Sequence, residues 1–456
     1  MPEFTAIIAG GGASGLLTAT RLVHKSASAR VIIVEPRASI GRGMAYSTPC
    51  LAHVLNVPAG RMSAFDERPD HFVEFLRASH GDAYGAASYV PRRFYGDYLE
   101  AIAQASSDFA GVRWGVERSS VLAASVDSSG VRAICEEGRV LRGDVLIVAT
   151  GNANPAPWTR ANADVVAGDR FFASAWEEGA LNCADREERV LLLGTGLTAV
   201  DAVIALRSNG HRGTIWMISR RGLLPHEHRI FDAPRDSKPE AVTTRDLLGA
   251  FRSVAGGRPH RWRAAVDGLR PRTNALWQAL SVHEQRRFMR HVIPYWNAHR
   301  HRMAPDVAKA IAEEIAAGTL RMLAGRTGRF IATDRGLRVA ITVRGSEQTL
   351  ELEIGRAINC SGPAHDFRLL ENPLIGNLLE QGIMHPLQSS IGIDVAPSGA
   401  LRDASGAEST RVYAIGPVRF GTLIETTAMP EIRAQAKDLA ALLAARADSL
   451  VTAMVQ

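Results

Sequence analysis

A glycine-rich turn set between an apolar strand and a helix occurs twice in this chain, and it restricts the fold more than any other feature. The first copy is Gly10-Gly11-Gly12-Ala13-Ser14-Gly15, preceded by apolar residues 5–9 and followed by a helical stretch to about Val23 and a strand at 31–34. The second is Gly194-Thr195-Gly196-Leu197-Thr198-Ala199, between strand-like segments 189–193 and 214–218. Strand, glycine turn, helix and strand in that order open a βαβ dinucleotide unit. The glycines make the turn tight, admit a pyrophosphate against the backbone and let the helix pack on the strand, while the helix N-terminus presents free N–H groups to the phosphates. Two copies predict an α/β chain with two dinucleotide-binding, Rossmann-like domains.

The 456 residues exceed what one ordinary core accommodates, which agrees with two domains. Residues 144–151 read as a buried strand ending in a small-residue turn, and the proline-rich Asn154-Pro-Ala-Pro-Trp158 after it reads as a linker. Segment 241–311 turns helical and rich in Arg, His and Trp, an insertion in the second domain. Strands return at 336–343 and 349–354, and lead into 357–362. A late strand at 412–416, the segment Glu425-Thr-Thr-Ala-Met-Pro430 and an alanine-rich helix at 431–446 have the form of a piece that closes the first domain. That closing piece resembles the FAD-closing motif of two-dinucleotide-domain flavoproteins, and the resemblance implies a discontinuous FAD domain, 1–160 with 345–456, around an NAD(P)H domain, 161–344.

Hydrophobic residues at 46% and charged residues at 22% describe a globular chain without extended disorder. The net charge of +6 comes from arginine spread along the chain, a bias toward anionic ligands with no basic-aromatic module for nucleic acid. Cys50, Cys135, Cys183 and Cys360 are far apart, so no CxxC redox or zinc motif exists, and the expected compartment is reducing. No apolar run reaches the roughly 18 residues of a membrane span and no signal peptide precedes the first strand, so the cytoplasm is expected. His226, His228, His291, His299 and His301 raise a metal reading, but residues two apart point to different faces of a helix, and no metal is expected.

For the first site the expected contacts are Gly10, Gly12, Ser14 and Gly15 at the phosphates, Glu35 at the adenosine ribose, Thr150 and Gly151 at a neighbouring strand end, and Gly416, Glu425 and Thr426 in the closing piece. The dinucleotide there is read as FAD. For the second they are Gly194, Gly196 and Thr198, with Ser219, Arg220 and Arg221 where an NAD-selective site would carry an acid. Arginine suits the 2′-phosphate of NADPH; NADH stays open.

Gly41-Arg-Gly-Met-Ala-Tyr-Ser-Thr48, His53-Val-Leu-Asn-Val-Pro-Ala-Gly-Arg-Met-Ser63, Val90-Pro-Arg-Arg-Phe-Tyr-Gly-Asp-Tyr-Leu99, Ser219-Arg-Arg-Gly-Leu-Leu-Pro225 and His299-Arg-His-Arg-Met303 resemble the bacterial family of FAD/NAD(P)-binding proteins related to flavin-dependent hydroxylases. The resemblance implies flavin-lining roles for Ala45, Tyr46, Asn56, Val57 and Met62. It also implies hydroxylation of a small electron-rich substrate by O2 and NAD(P)H, with the urate hydroxylase, which gives 5-hydroxyisourate, as the nearest member. Relatives that hydroxylate amino-acid nitrogen are the alternative, and a quinone-type NAD(P)H dehydrogenase and a redox-sensing flavoprotein are two further ones. An anionic substrate would need cations near the flavin; Arg61, Arg92 and Arg93, with Tyr95, are the candidates, and no catalytic base is assigned. The oligomeric state is left open.

Overall fold

Runs such as Ala29-Arg-Val-Ile-Ile-Val34 are apolar almost throughout, the pattern of strands covered on both faces, and in the computed structural model they form two largely parallel sheets. The structure describes residues 4–158, 165, 168–229, 243–256, 261–366 and 371–455. They divide into two compact units.

The first unit comprises Met1–Leu51, Val57–Ala153 and His365–Gln456. Its sheet runs in the order Ala400–Arg402, Glu408–Ala414, Val145–Val148, Phe4–Ala9, Ala29–Val34, Trp114–Glu117, parallel except for the first strand. The late strand pairs Val412, Tyr413 and Ala414 with Leu146, Ile147 and Val148, so the chain's end completes the sheet that its beginning starts. Ala9, Val34, Val148 and Ala414 consequently end at one carboxyl edge, where open parallel sheets bind ligands. Helices Ala13–Lys25 and Met429–Val455 pack against each other. A three-stranded antiparallel sheet, Val121–Asp127, Gly130–Cys135 and Val140–Gly143, adds Val131 and Ala133 to a core that includes Ile7, Leu146, Leu378 and Val395.

The second unit comprises Ala52–Asn56 and Asn154–Ala364. Its seven strands run Thr349–Ile354, Gly336–Val343, Leu320–Thr333, Ile215–Ser219, Val190–Leu193, Arg356–Asn359, Phe171–Phe172. The last five are parallel, and the first two extend them as an antiparallel meander. Helices Thr244–Ala255, Trp262–Leu269, Thr273–Ala279, Val282–His291 and Ile293–Arg300 form the expected insertion. Thr243 opens it with a capping box, its hydroxyl accepting from the Asp246 N–H at 3.2 Å while the Asp246 carboxylate accepts from the Thr243 N–H at 2.9 Å.

Three boundaries differ from the sequence reading. The return to the first unit comes at His365, not 345, because Thr349–Ile354 pairs with Gly336–Val343 and Arg356–Asn359 lies beside Val190–Leu193. The linker point moves from 160 to 153, and a short excursion, Ala52–Asn56, leaves the first unit. The insertion ends before Pro305–Ala316: Val307, Ala308 and Ile311 of that helix pack with Val200 and Val203 under the sheet, which makes it a crossover helix of the nucleotide fold. Residues 241–242, where the insertion was expected to start, lie outside the described residues. Among the described residues no helix is long and apolar enough to cross a membrane.

Candidate cofactor and active site

The three fingerprint glycines of the first turn answer to different demands. Gly10 has φ +115, and a Cβ there would come 2.3 Å from the Ala149 carbonyl oxygen. A Cβ on Gly15 would come 2.0 Å from the Gly10 carbonyl oxygen, so the helix is seated directly on the turn. Gly12 has an ordinary φ of −71, and its Cβ would meet only Gly43, no closer than 3.4 Å. Neither backbone nor packing asks for glycine at 12; an open cradle for a phosphate does.

Glu35 follows the second strand and is buried. One carboxylate oxygen accepts from the Gly11 N–H at 2.9 Å and the other from the Arg37 N–H at 3.1 Å. The acid expected at the ribose thus also braces the glycine turn, and each oxygen keeps a lone pair for a hydroxyl. Gly416 follows Ile415 at φ +71, and its Cβ would lie 2.3 Å from the Ser14 hydroxyl, so the closing piece meets the first helix. Its N–H donates to the Gln435 side-chain oxygen at 2.9 Å. Thr426 is fully buried with its hydroxyl unpartnered among the described residues, and Glu425 is buried beside it in sequence. Gly151, at φ +78, and exposed Thr150 follow the strand Val145–Val148 at the same edge. Gly10 thus lies against Ala149, Gly11 against Glu35 and Gly416 against Ser14, all within the first unit.

The flavin-lining candidates are less uniform. Ala45 is exposed, Val57 half-buried and Met62 buried, all in the first unit, whereas Asn56 belongs to the second. The Tyr46 ring lies 4.7 Å from Tyr95, and burial pushes its phenol up to about 12 against the opposing influence of Arg92. Arg61 and Arg93 are exposed and Arg92 is half-buried. Tyr95 stands apart from them, on the inner face of Arg92–Ala110 and fully buried, 4.9 Å from Phe72 and 5.4 Å from Tyr98. Its hydroxyl has no partner among the described residues, and burial holds its pKa well above that of an ordinary tyrosine. Sequence reading missed Arg42, whose guanidinium bonds Asp97 and Glu100 on the same helix and so fastens the Gly41–Tyr46 loop. The signal was available: two acids three apart on a helix face, with an arginine in a glycine-flanked loop.

In the second unit Gly194 repeats Gly10, with φ +139 and a Cβ that would lie 2.3 Å from the Cys360 carbonyl oxygen. Gly196 repeats Gly12: a Cβ there would meet nothing within 4 Å. Thr198 lies in the first turn of the helix Leu197–Ser208. The expected phosphate trio separates. Ser219 is held in the turn, accepting from the Gly222 N–H at 2.9 Å and sharing a 2.9 Å hydrogen bond with Thr195. Arg221 lies over the Tyr295 ring at 4.9 Å and donates to its hydroxyl and to the Arg290 carbonyl. Arg220 is exposed and makes no hydrogen bond or ion pair among the described residues. After Gly222 a cleft of about 820 Å³ opens, lined by residues that include Leu223, His226, His299, Met303 and Lys309, within the size range of nucleotide and cofactor pockets. The histidines are aromatic packing, with His226, His299 and Trp262 at 4.6–4.7 Å from one another. No group of side chains among the described residues is arranged to hold a metal ion.

Residues 7–153 match the protein family described as FAD-NAD(P)-binding. The match covers about a third of the chain. No curated protein matches the chain. Among solved structures, L-lysine 6-monooxygenase from Pseudomonas syringae aligns over 98% of this chain and 100% of its own, at 16% identity and a TM-score of 0.67. An ornithine N-hydroxylase from Kutzneria sp. 744, in a structure with reduced FAD, NADP+ and L-ornithine, aligns over 98% and 100% at 16% identity and 0.64. The bacillithiol disulfide reductase from Staphylococcus aureus aligns over 98% and 99% at 12% identity and 0.58. At these identities the likeness establishes a shared fold.

The residues present fit a dinucleotide of the FAD type. The open position at Gly12, the acid at Glu35 and the unpaired buried hydroxyl of Thr426 are what such a ligand would fill, contact and satisfy.

Proposed function

We propose that this chain is an FAD-dependent, NADPH-consuming monooxygenase that hydroxylates the nitrogen of a primary amine on an amino acid or diamine. The observation that carries the reading is the end-to-end architecture shared with lysine and ornithine hydroxylases, over 98% of this chain. These structures support the amine alternative above urate, the first expectation from sequence. The overall change would be R–NH2 + O2 + NADPH + H+ → R–NHOH + H2O + NADP+, which balances in atoms and electrons.

The disulfide-reducing chemistry of another structure with this architecture is less well supported. All four cysteines are free, burial raises the Cys135 and Cys360 thiols, and it pushes Cys183 up to about 12, so these three are poor sources of thiolate near neutrality.

Bound FAD supplies hydride acceptance and oxygen activation. The chain's part is to hold and orient. Gly12 and the N-terminus of Ala13–Lys25 receive the pyrophosphate, Glu35 takes the ribose hydroxyls, and Gly416 with Thr426 meets the ribityl end. In the second unit Gly196 receives the NADPH pyrophosphate, and exposed Arg220 pairs with the 2′-phosphate. Arg61, Arg92 and Arg93 remain the proposed partners of a substrate carboxylate.

The reading is tested by supplying FAD-loaded protein with NADPH, air and, separately, lysine, ornithine, cadaverine or urate. A product one oxygen heavier than one of the amines, formed mole for mole with NADPH consumed, is expected. Hydrogen peroxide as sole product with every amine, or oxygen entering urate instead, would rule it out.

A further inference from the structure

A carboxamide has one acceptor and two donor hydrogens, and its orientation follows from its neighbours. At Gln435 the neighbour is unambiguous: the Gly416 N–H, which can only donate, lies 2.9 Å away, so the near atom is the oxygen. The amide nitrogen therefore faces elsewhere, in a residue 9% exposed, and it has no hydrogen-bond partner among the described residues. Buried donors are almost always bonded, so this one calls for a partner such as a water or a ligand.

Gln435 lies in the second turn of Met429–Val455, against Gly416. Gly416 in turn sits so close to Ser14 that a Cβ would come 2.3 Å from the Ser14 hydroxyl. Ser14 belongs to the first turn of the helix that begins at Gly12, the position left open in the first glycine turn. Gln435 is thus linked through Gly416 to the first turn of the helix Ala13–Lys25, within one unit of the structure. Thr426, three residues before the same C-terminal helix, carries a second unpaired buried polar group.

We infer that Gln435 is a cofactor-binding residue whose side-chain N–H donates to an oxygen of the phosphate–ribityl chain of FAD, while its oxygen fixes the Gly416 turn. This rests on the reading that the first glycine turn holds FAD. The C-terminal helix then contributes a contact from its interior face, and the chain's last segment is required for retention of the cofactor.

The test uses flavin-stripped full-length protein and FAD titration followed by quenching of flavin fluorescence. Gln435→Glu keeps the oxygen that receives the Gly416 N–H and replaces the donor by an acceptor. Its apo-protein should melt within a few degrees of wild type, and its FAD dissociation constant should rise at least tenfold at pH 8.5 and less at pH 6, where the new carboxyl is more protonated. Affinity within twofold of wild type at pH 8.5 overturns the inference, as does an equal loss at both pH values accompanied by a lower melting temperature. Gln435→Met serves if the first variant does not fold: folded protein with weakened FAD binding supports the contact. Wild-type affinity in that variant, or failure of both to fold, overturns it. Wild-type protein that binds no FAD refutes the underlying FAD reading instead.

Discussion

Gly12 and Gly15 stand three residues apart, yet their substitutions should fail in opposite ways. Gly15→Ala places a Cβ 2.0 Å from the Gly10 carbonyl oxygen, and the helix must shift; a loss of about 1–3 kcal/mol in chemical denaturation is expected even without cofactor. Gly12→Val fills only the open cradle, so the apo-protein should unfold near the wild-type midpoint while the purified protein loses its flavin colour; a yellow Gly12→Val protein would remove Gly12 from the phosphate site. Arg220 and Arg221 divide similarly. Arg220→Ala should raise the KM for NADPH about tenfold and leave that for NADH within twofold, since one charge-assisted hydrogen bond is worth about 1.5–3 kcal/mol. Arg221→Ala should cost about 1 kcal/mol or less of stability through its contact with Tyr295, without changing the ratio of the two constants; equal ratios for both variants would contradict the division.

The elements that were legible in sequence are those whose pattern is set locally. The paired glycine turns, the strands around them and the closing strand Glu408–Ala414 follow from apolar runs ending in small residues, and the structure forms them within a residue or two, except that the closing strand begins at 408 where 412 was expected. Legibility fails where an element's membership depends on distant partners. Nothing local in Thr349–Ile354 says that it extends the second sheet, and the apolar face of Pro305–Ala316 reads equally well as insertion or crossover helix. Sequence alone reads Tyr95 as a candidate substrate contact, and its place in an aromatic interior is not legible because its neighbours Phe72 and Tyr46 come from separate segments. The segment around His365 carries a prediction of the same kind. His365 is stacked on Phe420 at 4.2 Å, and burial lowers its pKa to about 4. The folded chain therefore keeps it neutral while the unfolded chain takes up a proton below about 6.5. The stability this burial supports is complete above that pH and is lost as pH falls toward 4, by at most about 3 kcal/mol. His365→Phe, which keeps the stack, should flatten the acid limb of stability measured by urea unfolding; an unchanged slope would show that His365 does not contribute.

At the scale of the whole molecule, two nucleotide folds in one chain make sense if electrons pass from one bound dinucleotide to the other. On the proposed reading the N-terminal unit, with its open position at Gly12 and its buried acid, holds FAD, while the second, with the like position at Gly196 and an exposed arginine, receives NADPH. Substrate class was the least legible property, because it is set by side chains brought together from several segments and not by any turn motif. The most direct measurement is anaerobic titration of the purified holoprotein with NADPH while the yellow flavin absorbance is followed. Complete bleaching at one NADPH per flavin, with Arg220→Ala needing a higher concentration of NADPH but not of NADH, is the expected result. A flavin that stays oxidised in excess NADPH and NADH would contradict the account.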